Sequence, residues 1–432
     1  MGSYAPPLAR RSYRSAHNDR EKVTIGMMAM NNPPSAVYNA PYLTEPTDFS
    51  LVLGGPLYQL FLRTQLASPP LDLLRRRIIV ISLIAWLPLL LVAAIEGRAI
   101  GDAIRVPFLY DVEVHARFLV ALPLMIAAEL IVHQRIWPVV RQFLERGVVP
   151  QEARQRFDAI VASAMRLRNS VIIEVCLIAF VLTGGHYLWR ELLTLKTTTW
   201  YATVEDSGWR LSPAGYWFSY ISLPFFQFLL IRWYFRLFVW CRFLWQISRL
   251  DLRLIPTHPD QAGGLGFLGN SVLAFAPLLL AQGALLSGTI ANRIFYEGDT
   301  LLAFKQVLAA GVVSLVLIVL APLSVFTLRL VDAKRVGLRE YGVLASRYVR
   351  EFDQKWLRGG VSEDEVLVGS GDIQSLADLA NSFAVIRSMR LFPCGKETVI
   401  RLAVVTALPI LPLTLTMIPL EELVLRLLGV IF

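Results

Sequence analysis

The feature that constrains this chain most is a series of apolar stretches, several of which approach or exceed the ~20 residues that cross a bilayer as a helix. These stretches are continuous rather than alternating, which predicts helices and excludes a transmembrane β-barrel. Only 17% of the residues are charged, too few for a soluble surface. The sequence therefore predicts an all-α, polytopic transmembrane helical bundle, and it excludes a soluble enzyme, a secreted disulfide scaffold and a disordered protein.

The apolar pattern predicts about seven spans, and the range from six to eight is open. Pro409 and Pro412 kink the last span, and if they make a re-entrant turn instead, the count falls to six. The predicted spans cover 78–95, 118–137, 171–189, a stretch that begins near 217, 267–291, 306–328 and 398–418.

The basic residues predict the orientation of these spans. The net charge is +9, and most of the 42 Lys and Arg residues fall in the loops on one side, including three consecutive arginines just before the first span. Basic loops stay in the cytoplasm, so the N-terminus is predicted to be cytoplasmic. This distribution accounts for the net charge without a nucleic-acid partner, and membrane lipids are the expected partner.

After the sixth span, an amphipathic pattern predicts cytoplasmic helices over 330–357 and 372–389. Together with the composition, this pattern divides the chain into five parts. The parts are a disordered N-terminal tail (1–47), an interfacial amphipathic segment (48–70), spans one to six with their cytoplasmic loops (71–328), a cytoplasmic helical region (329–397), and the last span with an interfacial C-terminal helix (398–432).

Five ionisable side chains fall at overlapping depths within the predicted spans. A charge inside the hydrocarbon costs ~2.5–3.5 kcal/mol on insertion scales, so it usually faces protein or water. Three interpretations are open: arginines that reach the inner headgroups, a structural Glu–Arg pair that locks spans two to four, and groups that line a hydrated pathway. The five residues are Glu129, His133, Glu174, Arg232 and Arg236.

The loop after the fourth span is rich in glycine and reads PTHPDQAGGLGFLGN from position 256. Its GxGxxG spacing does not predict a dinucleotide site, because no strand precedes it. Backbone amides next to basic residues favour an anion, whereas a structural turn, in which Thr257, His258 and Asp260 satisfy the amides, is the alternative. The candidate anion-binding residues are Arg249, Arg253, His258, Gly264 and Gly266.

Three short segments carry a resemblance to a known family. They are PTHPDQAGGLGFL in this loop, IRSMR at 386–390, and LPILP at 408–412. With these segments the chain resembles a family of uncharacterised bacterial multi-pass membrane proteins with a THPDxAGGLGFL-type cytoplasmic loop. The resemblance covers most of the chain after residue 48. It implies a bacterial inner membrane, and it supplies no activity.

Small residues recur along the fifth predicted span, where Gly283, Ser287 and Gly288 lie on or beside one helical face. Residues of this size let helices approach closely, and the contact can lie within one chain or between chains. A homo-oligomer is predicted from the modest size of the membrane portion and the length of the cytoplasmic helices.

Motifs for catalysis are missing from the sequence. It has no HExxH, no GxSxG and no P-loop, and its three cysteines match no disulfide or zinc spacing. No catalytic residue, metal or cofactor is therefore predicted. Intramembrane charges and a basic cytoplasmic mouth favour an oligomeric channel or transporter for a small anion. The alternative is a non-conducting structural or signalling subunit that docks a partner on its cytoplasmic helices.

Overall fold

Helices make up most of the described chain, as the sequence predicts. The computed structural model describes residues 49–64, 73–102, 104–185, 187, 197–205, 208–361, 365–367 and 369–417, all within one unit, Thr44–Phe432. The helices are α1 (Pro56–Arg63), α2 (Leu74–Ile95), α3 (Val112–Glu145), α4 (Gln151–Arg168), α5 (Val171–Gly185), α6 (Pro213–Ser248), α7 (Leu268–Glu297), α8 (Leu301–Trp356), α9 (Gly371–Ser388) and α10 (Lys396–Met417). A 3-10 turn covers Phe108–Tyr110, and an antiparallel hairpin, β1 (Ala202–Glu205) and β2 (Gly208–Leu211), precedes α6.

Six of the described helices are long and apolar enough to cross a membrane, namely α2, α3, α6, α7, α8 and α10. The shortest have 22 residues, and at 1.5 Å per residue such a helix exceeds the ~30 Å hydrocarbon core. A seventh span requires α4 and α5 together, which are bent by 44°. The fold is that of a multi-pass membrane protein, with six described spans or up to seven.

The outer faces of the spans are apolar. Large hydrophobic side chains remain exposed on α2, α5, α8 and α10, and exposed apolar residues in this number are typical of contact with lipid or another protein. Examples are Ile79, Ile84, Leu91, Ile172, Val175, Val313, Leu317, Ile400 and Leu411.

Helix α3 lies at the centre of the packing and contacts α2, α6 and α7. Its buried residues recur every three or four positions, as for a helix with one face in a core. They include Met125, Ala128, Val132 and Ile136. At one end of the bundle, the ring of Phe143 meets the ring of Phe267 edge-on at 5.1 Å.

The small residues of α7 pack within this chain. Gly283 faces the backbone of Thr406 in α10, and the Ser287 hydroxyl donates to the carbonyl oxygen of Pro409 at 2.7 Å. A Cβ on Gly288 would lie 2.8 Å from the Cβ of Ala116 in α3. This stripe is therefore used for contacts between helices of one chain, and the predicted homo-oligomer has to use other surfaces.

The described part of the segment predicted to lie in the interface, residues 49–64 of 48–70, divides into two parts. Residues 49–55 are buried or half-buried inside the bundle, and the Phe49 ring packs 4.7 Å from that of Phe243. Among the described residues of this segment, Pro56–Arg63 forms a helix. Residues 49–55 are thus part of the protein interior, because partners distant in sequence bury an apolar run that is too short to span a membrane.

The two helices predicted over 330–357 and 372–389 are present as the second half of α8 and as α9. Lys355 and the indole of Trp356 bind the carboxylate of Asp372, at 2.8 Å and 3.0 Å. Lys334 donates to the carbonyl oxygen of Met389 at 2.8 Å. These contacts hold α9 against α8 as a helical hairpin. The predicted tail over 1–47 and the C-terminal helix over 419–432 lie outside the described residues.

Candidate functional site

The most deeply buried group of charges centres on Glu129, in the middle of α3. Arg236 of α6 donates from Nη2 to Glu129 Oε1 at 2.7 Å. Arg77 of α2 places its Nη2 2.7 Å from Oε2, and Arg232 of α6 places its Nη1 3.8 Å from Oε1. All four side chains are at most 9% exposed. One carboxylate therefore joins three arginines from two neighbouring helices.

The geometry of α6 explains why both of its arginines reach this carboxylate. Arg232 and Arg236 are four residues apart, so they lie on one face of the helix. The guanidinium of Arg236 also lies 4.7 Å from the ring of Trp233, and the Trp233 indole donates to the carbonyl oxygen of Met125 at 3.1 Å. The aromatic side chain thus fixes Arg236 and anchors α6 to α3.

A second acid extends the group toward α5. Arg232 Nε lies 3.6 Å from Glu174 Oε1, and the same oxygen accepts a hydrogen bond from the backbone N–H of Leu57 at 3.3 Å. Arg168, at the end of α4, lines a cavity with Glu174, Arg232 and Arg236. We call Arg77, Arg168, Arg232 and Arg236, with Glu129 and Glu174, the arginine cluster.

The charges of the arginine cluster do not balance. Its four arginines face two glutamates, which leaves an excess of two positive charges among these six residues. Taking an ion out of water costs several kcal/mol even after relaxation, and only close opposite charges repay this cost. The adjoining cavity has a volume of about 20 Å³, which is enough for one ion or molecule about the size of water. The cluster therefore has the charge and the space for a small anion.

Residues 49–57, which we call the covering segment, close the cluster on one side. The carbonyl oxygens of Ser50 and Gly54 accept hydrogen bonds from Arg168 and from Arg232, the latter at 3.5 Å. The Ser50 hydroxyl lies 3.0 Å from Nδ1 of His133. Gly54 has φ +141°, and a Cβ there would overlap the guanidinium of Arg168. Main-chain oxygens thus supply part of the arginines' hydrogen bonding.

All five predicted intramembrane residues meet at this place, with Glu129, Glu174, Arg232 and Arg236 in the cluster and His133 bound to the covering segment. Sequence reasoning missed Arg77 and Arg168. Arg77 belongs to the triplet that marks the cytoplasmic end of a span, and nothing in the sequence separates it from its two neighbours. One of the three interpretations is that the arginines reach the inner headgroups. It does not fit Arg232 and Arg236, because both are buried and paired with Glu129.

The residues predicted as an anion site in the glycine-rich loop do not meet at one point. Arg253 pairs with Glu152 at 3.4 Å, and Arg249 lies 5.1 Å from the ring of Trp245. The amides of Gly264 and Gly266 donate to Asp260 at 3.1 Å and 2.7 Å, and His258 Nδ1 also lies 2.9 Å from this carboxylate. The amides thus already have an acceptor, as in the alternative of a structural turn.

Asp260 organises this loop. Burial works to raise the pKa of its carboxyl, but the N–H groups of Ala262, Gly266 and Gly264 and the nearby His258 outweigh it, so the pKa lies below its usual 3.8. A carboxylate with a lowered pKa stabilises the fold above the unfolded-state pKa, and this contribution is lost as the pH falls through the lower folded-state value.

For Asp260→Asn we expect a loss of about 1–3 kcal/mol in the free energy of unfolding at pH 7, because an amide cannot accept all three N–H groups. The difference from wild type should shrink as the pH falls below 3.8 toward the folded-state pKa. Thermal unfolding in detergent micelles between pH 7 and pH 3 measures it. Asp251→Asn, an exposed position in the same loop, is the control, and an equal effect there would contradict the assignment.

A second buried polar group lies at the N-terminal end of α3. Asp111 accepts hydrogen bonds from the Trp200 indole and the Asn292 amide, both at 2.8 Å, and Glu113 pairs with Arg117. Asp111, Glu113 and Arg117 are all buried. Trp200 and α7 cover this turn, and the group is satisfied by protein partners.

No family model, curated protein or solved structure matches this chain. Within the described ranges, no group of three or more His, Cys, Asp or Glu side chains could hold a metal ion.

Proposed function

We propose that the protein is an oligomeric channel or transporter for a small anion in a bacterial inner membrane, with the arginine cluster as its anion site. The observation that carries the proposal is the excess of two positive charges around a water-sized cavity among candidate spans. Arginine side chains at membrane depth favour anions. In this proposal the anion site is the arginine cluster and not the glycine-rich loop, where the sequence predicts it.

The covering segment belongs to this proposal. It closes the cluster through main-chain oxygens of Ser50 and Gly54, and the Phe49 ring packs beside Phe243 of α6. An anion that passes the arginines has to displace these contacts, so the described conformation is a closed state. In this proposal the covering segment moves when the site opens, together with the rest of α1.

Chloride flux into vesicles that contain the purified full chain tests the proposal. For Arg232→Gln we expect flux to fall about tenfold, which corresponds to about 1.4 kcal/mol, because the cavity loses one of its buried positive charges. Arg242→Gln is the matched control, since Arg242 lies further along α6 and binds Ser163 and Gln246 outside the cluster.

A second variant covers the case in which Arg232→Gln does not fold. Glu174→Gln raises the positive excess of the cluster, so we expect a higher preference for chloride over potassium in the same vesicles. Wild-type vesicles without flux under varied voltage and pH, or equal flux in wild type and both variants, would overturn the proposal.

The alternative function, a non-conducting subunit that docks a partner, has one observation in its favour. The hairpin of α8 and α9 exposes large apolar side chains, including Val343 (67% exposed) and Leu357 (72% exposed). Apolar residues exposed on a helix beyond its membrane part are typical of a docking face. Vesicles without flux would favour this alternative.

A further inference from the structure

A cavity of about 630 Å³ lies at one end of the bundle, between the glycine-rich loop and the turn that precedes α10. Its volume is within the ~300–1,000 Å³ of sites that hold small molecules. Three basic side chains line it, namely Arg146, Arg390 and Lys396. It is separate from the arginine cluster, which its lining does not include.

Three candidate spans terminate at this cavity. Arg146 directly follows the last residue of α3, Phe267 directly precedes α7, and Lys396 is the first residue of α10. Span ends lie where the hydrocarbon core gives way to the headgroups. A cavity at the ends of three candidate spans is thus within reach of lipid headgroups.

Two of the three basic groups are held in position. The guanidinium of Arg146 lies 5.2 Å from the ring of Phe267. Arg390 donates from its backbone N–H to the carbonyl oxygen of Gln261 at 2.7 Å, and from Nη2 to that of Asp260 at 3.1 Å. Groups fixed before binding lose less conformational entropy when a ligand arrives.

The acids beside the cavity offset its positive charge only in part. Asp260 accepts three backbone N–H groups and contacts His258. The carboxylate of Glu397 is 89% exposed and lies 3.9 Å from Arg401, on the next turn of α10. Three basic and two acidic side chains line the cavity, which leaves an excess of one positive charge for a ligand.

We propose that this cavity binds a phosphate group, carried by the headgroup of an anionic phospholipid or by a free phosphate compound. Arginine matches phosphate oxygens with two parallel hydrogen bonds, and basic pockets between membrane helices bind anionic headgroups. The position at the ends of three candidate spans favours the lipid as the source. The proposal is independent of anion flux.

Native mass spectrometry of the full chain in detergent, titrated with phosphatidylglycerol and separately with inorganic phosphate, tests it. For R146Q/K396Q we expect phosphatidylglycerol to bind on the order of 25-fold more weakly, since each cation near the surface contributes about fivefold. This variant leaves the Arg390 bonds to the glycine-rich loop in place. R335Q/R339Q, with two exposed arginines of α8, is the control and should stay within about twofold of wild type.

The two titrations separate the two sources of phosphate. Binding of phosphatidylglycerol that weakens in R146Q/K396Q supports a lipid site. Binding of inorganic phosphate alone, with the same loss in the variant, supports a site for a free phosphate compound. Binding that is equal in wild type, R146Q/K396Q and the control overturns the proposal, as does the failure of wild type to bind either probe.

Discussion

Replacing Glu129 with glutamine is expected to lower the free energy of unfolding by about 3–5 kcal/mol, the cost of removing one partner from a buried ion pair. The substitution keeps the size of the side chain and removes the charge that holds Arg77, Arg232 and Arg236. Three guanidinium groups then face one another across a neutral amide. Unfolding of the purified chain in detergent micelles, followed by circular dichroism, measures the loss.

The matched control is Glu145→Gln, the same change at the far end of α3. Glu145 pairs with Arg141 at 3.1 Å, and its side chain is 50% exposed, so we expect a change of less than ~1 kcal/mol. Adding Arg77→Met to Glu129→Gln should restore part of the stability, because it removes one of the unpaired charges. If Glu129→Gln is no more harmful than the control, the cluster does not hold the helices together.

Replacing Gly283 with alanine is expected to destabilise the protein by about 1–3 kcal/mol or more, as overpacking does in other cores. The added Cβ would overlap the carbonyl oxygen of Thr406. This neighbour is backbone and cannot rotate away, so α7 and α10 have to separate. The same unfolding measurement detects the effect.

Gly342→Ala is the control for this prediction. Gly342 lies inside α8, where a Cβ would meet only the edge of the Phe383 ring at 4.0 Å, so alanine should be neutral or stabilising by up to ~1 kcal/mol. The loss at Gly283 should not depend on protein concentration, since the contact lies within one chain. A concentration-dependent loss would instead place Gly283 at a contact between copies.

The sequence predicts the six candidate spans and the convergence of charges, whereas its third span, 171–189, is a candidate only as part of the bent pair α4 and α5. Length and hydropathy decide whether a helix can cross a bilayer, and both can be read from composition. Glu129 and Arg232 meet because charges at equal depth in a bundle have few other partners. The i,i+4 spacing of Arg232 and Arg236 already places both on one face of α6.

Contacts between segments distant in sequence could not be predicted. Residues 49–55 form a short apolar run whose sequence does not reveal its partners. The run lies in the interior through its contacts with a ring of α6 and with the guanidinium groups of Arg168 and Arg232. In the glycine-rich loop, the pattern permits either a free anion site or a turn closed by Asp260. Which group accepts hydrogen bonds from the loop amides depends on the backbone angles, such as the φ of +94° at Gly264.

The shared carboxylate of Glu129 has a consequence for the order of assembly during synthesis. Helices α2 and α3 are consecutive, so Arg77 and Glu129 enter the bilayer as a neutral pair and avoid the ~2.5–3.5 kcal/mol penalty of an isolated charge. Helix α6 begins more than sixty residues after α3 ends. Its two arginines therefore meet a carboxylate that is already paired with Arg77. We therefore expect α2 and α3 to pair through Arg77 and Glu129 before α6 packs against them.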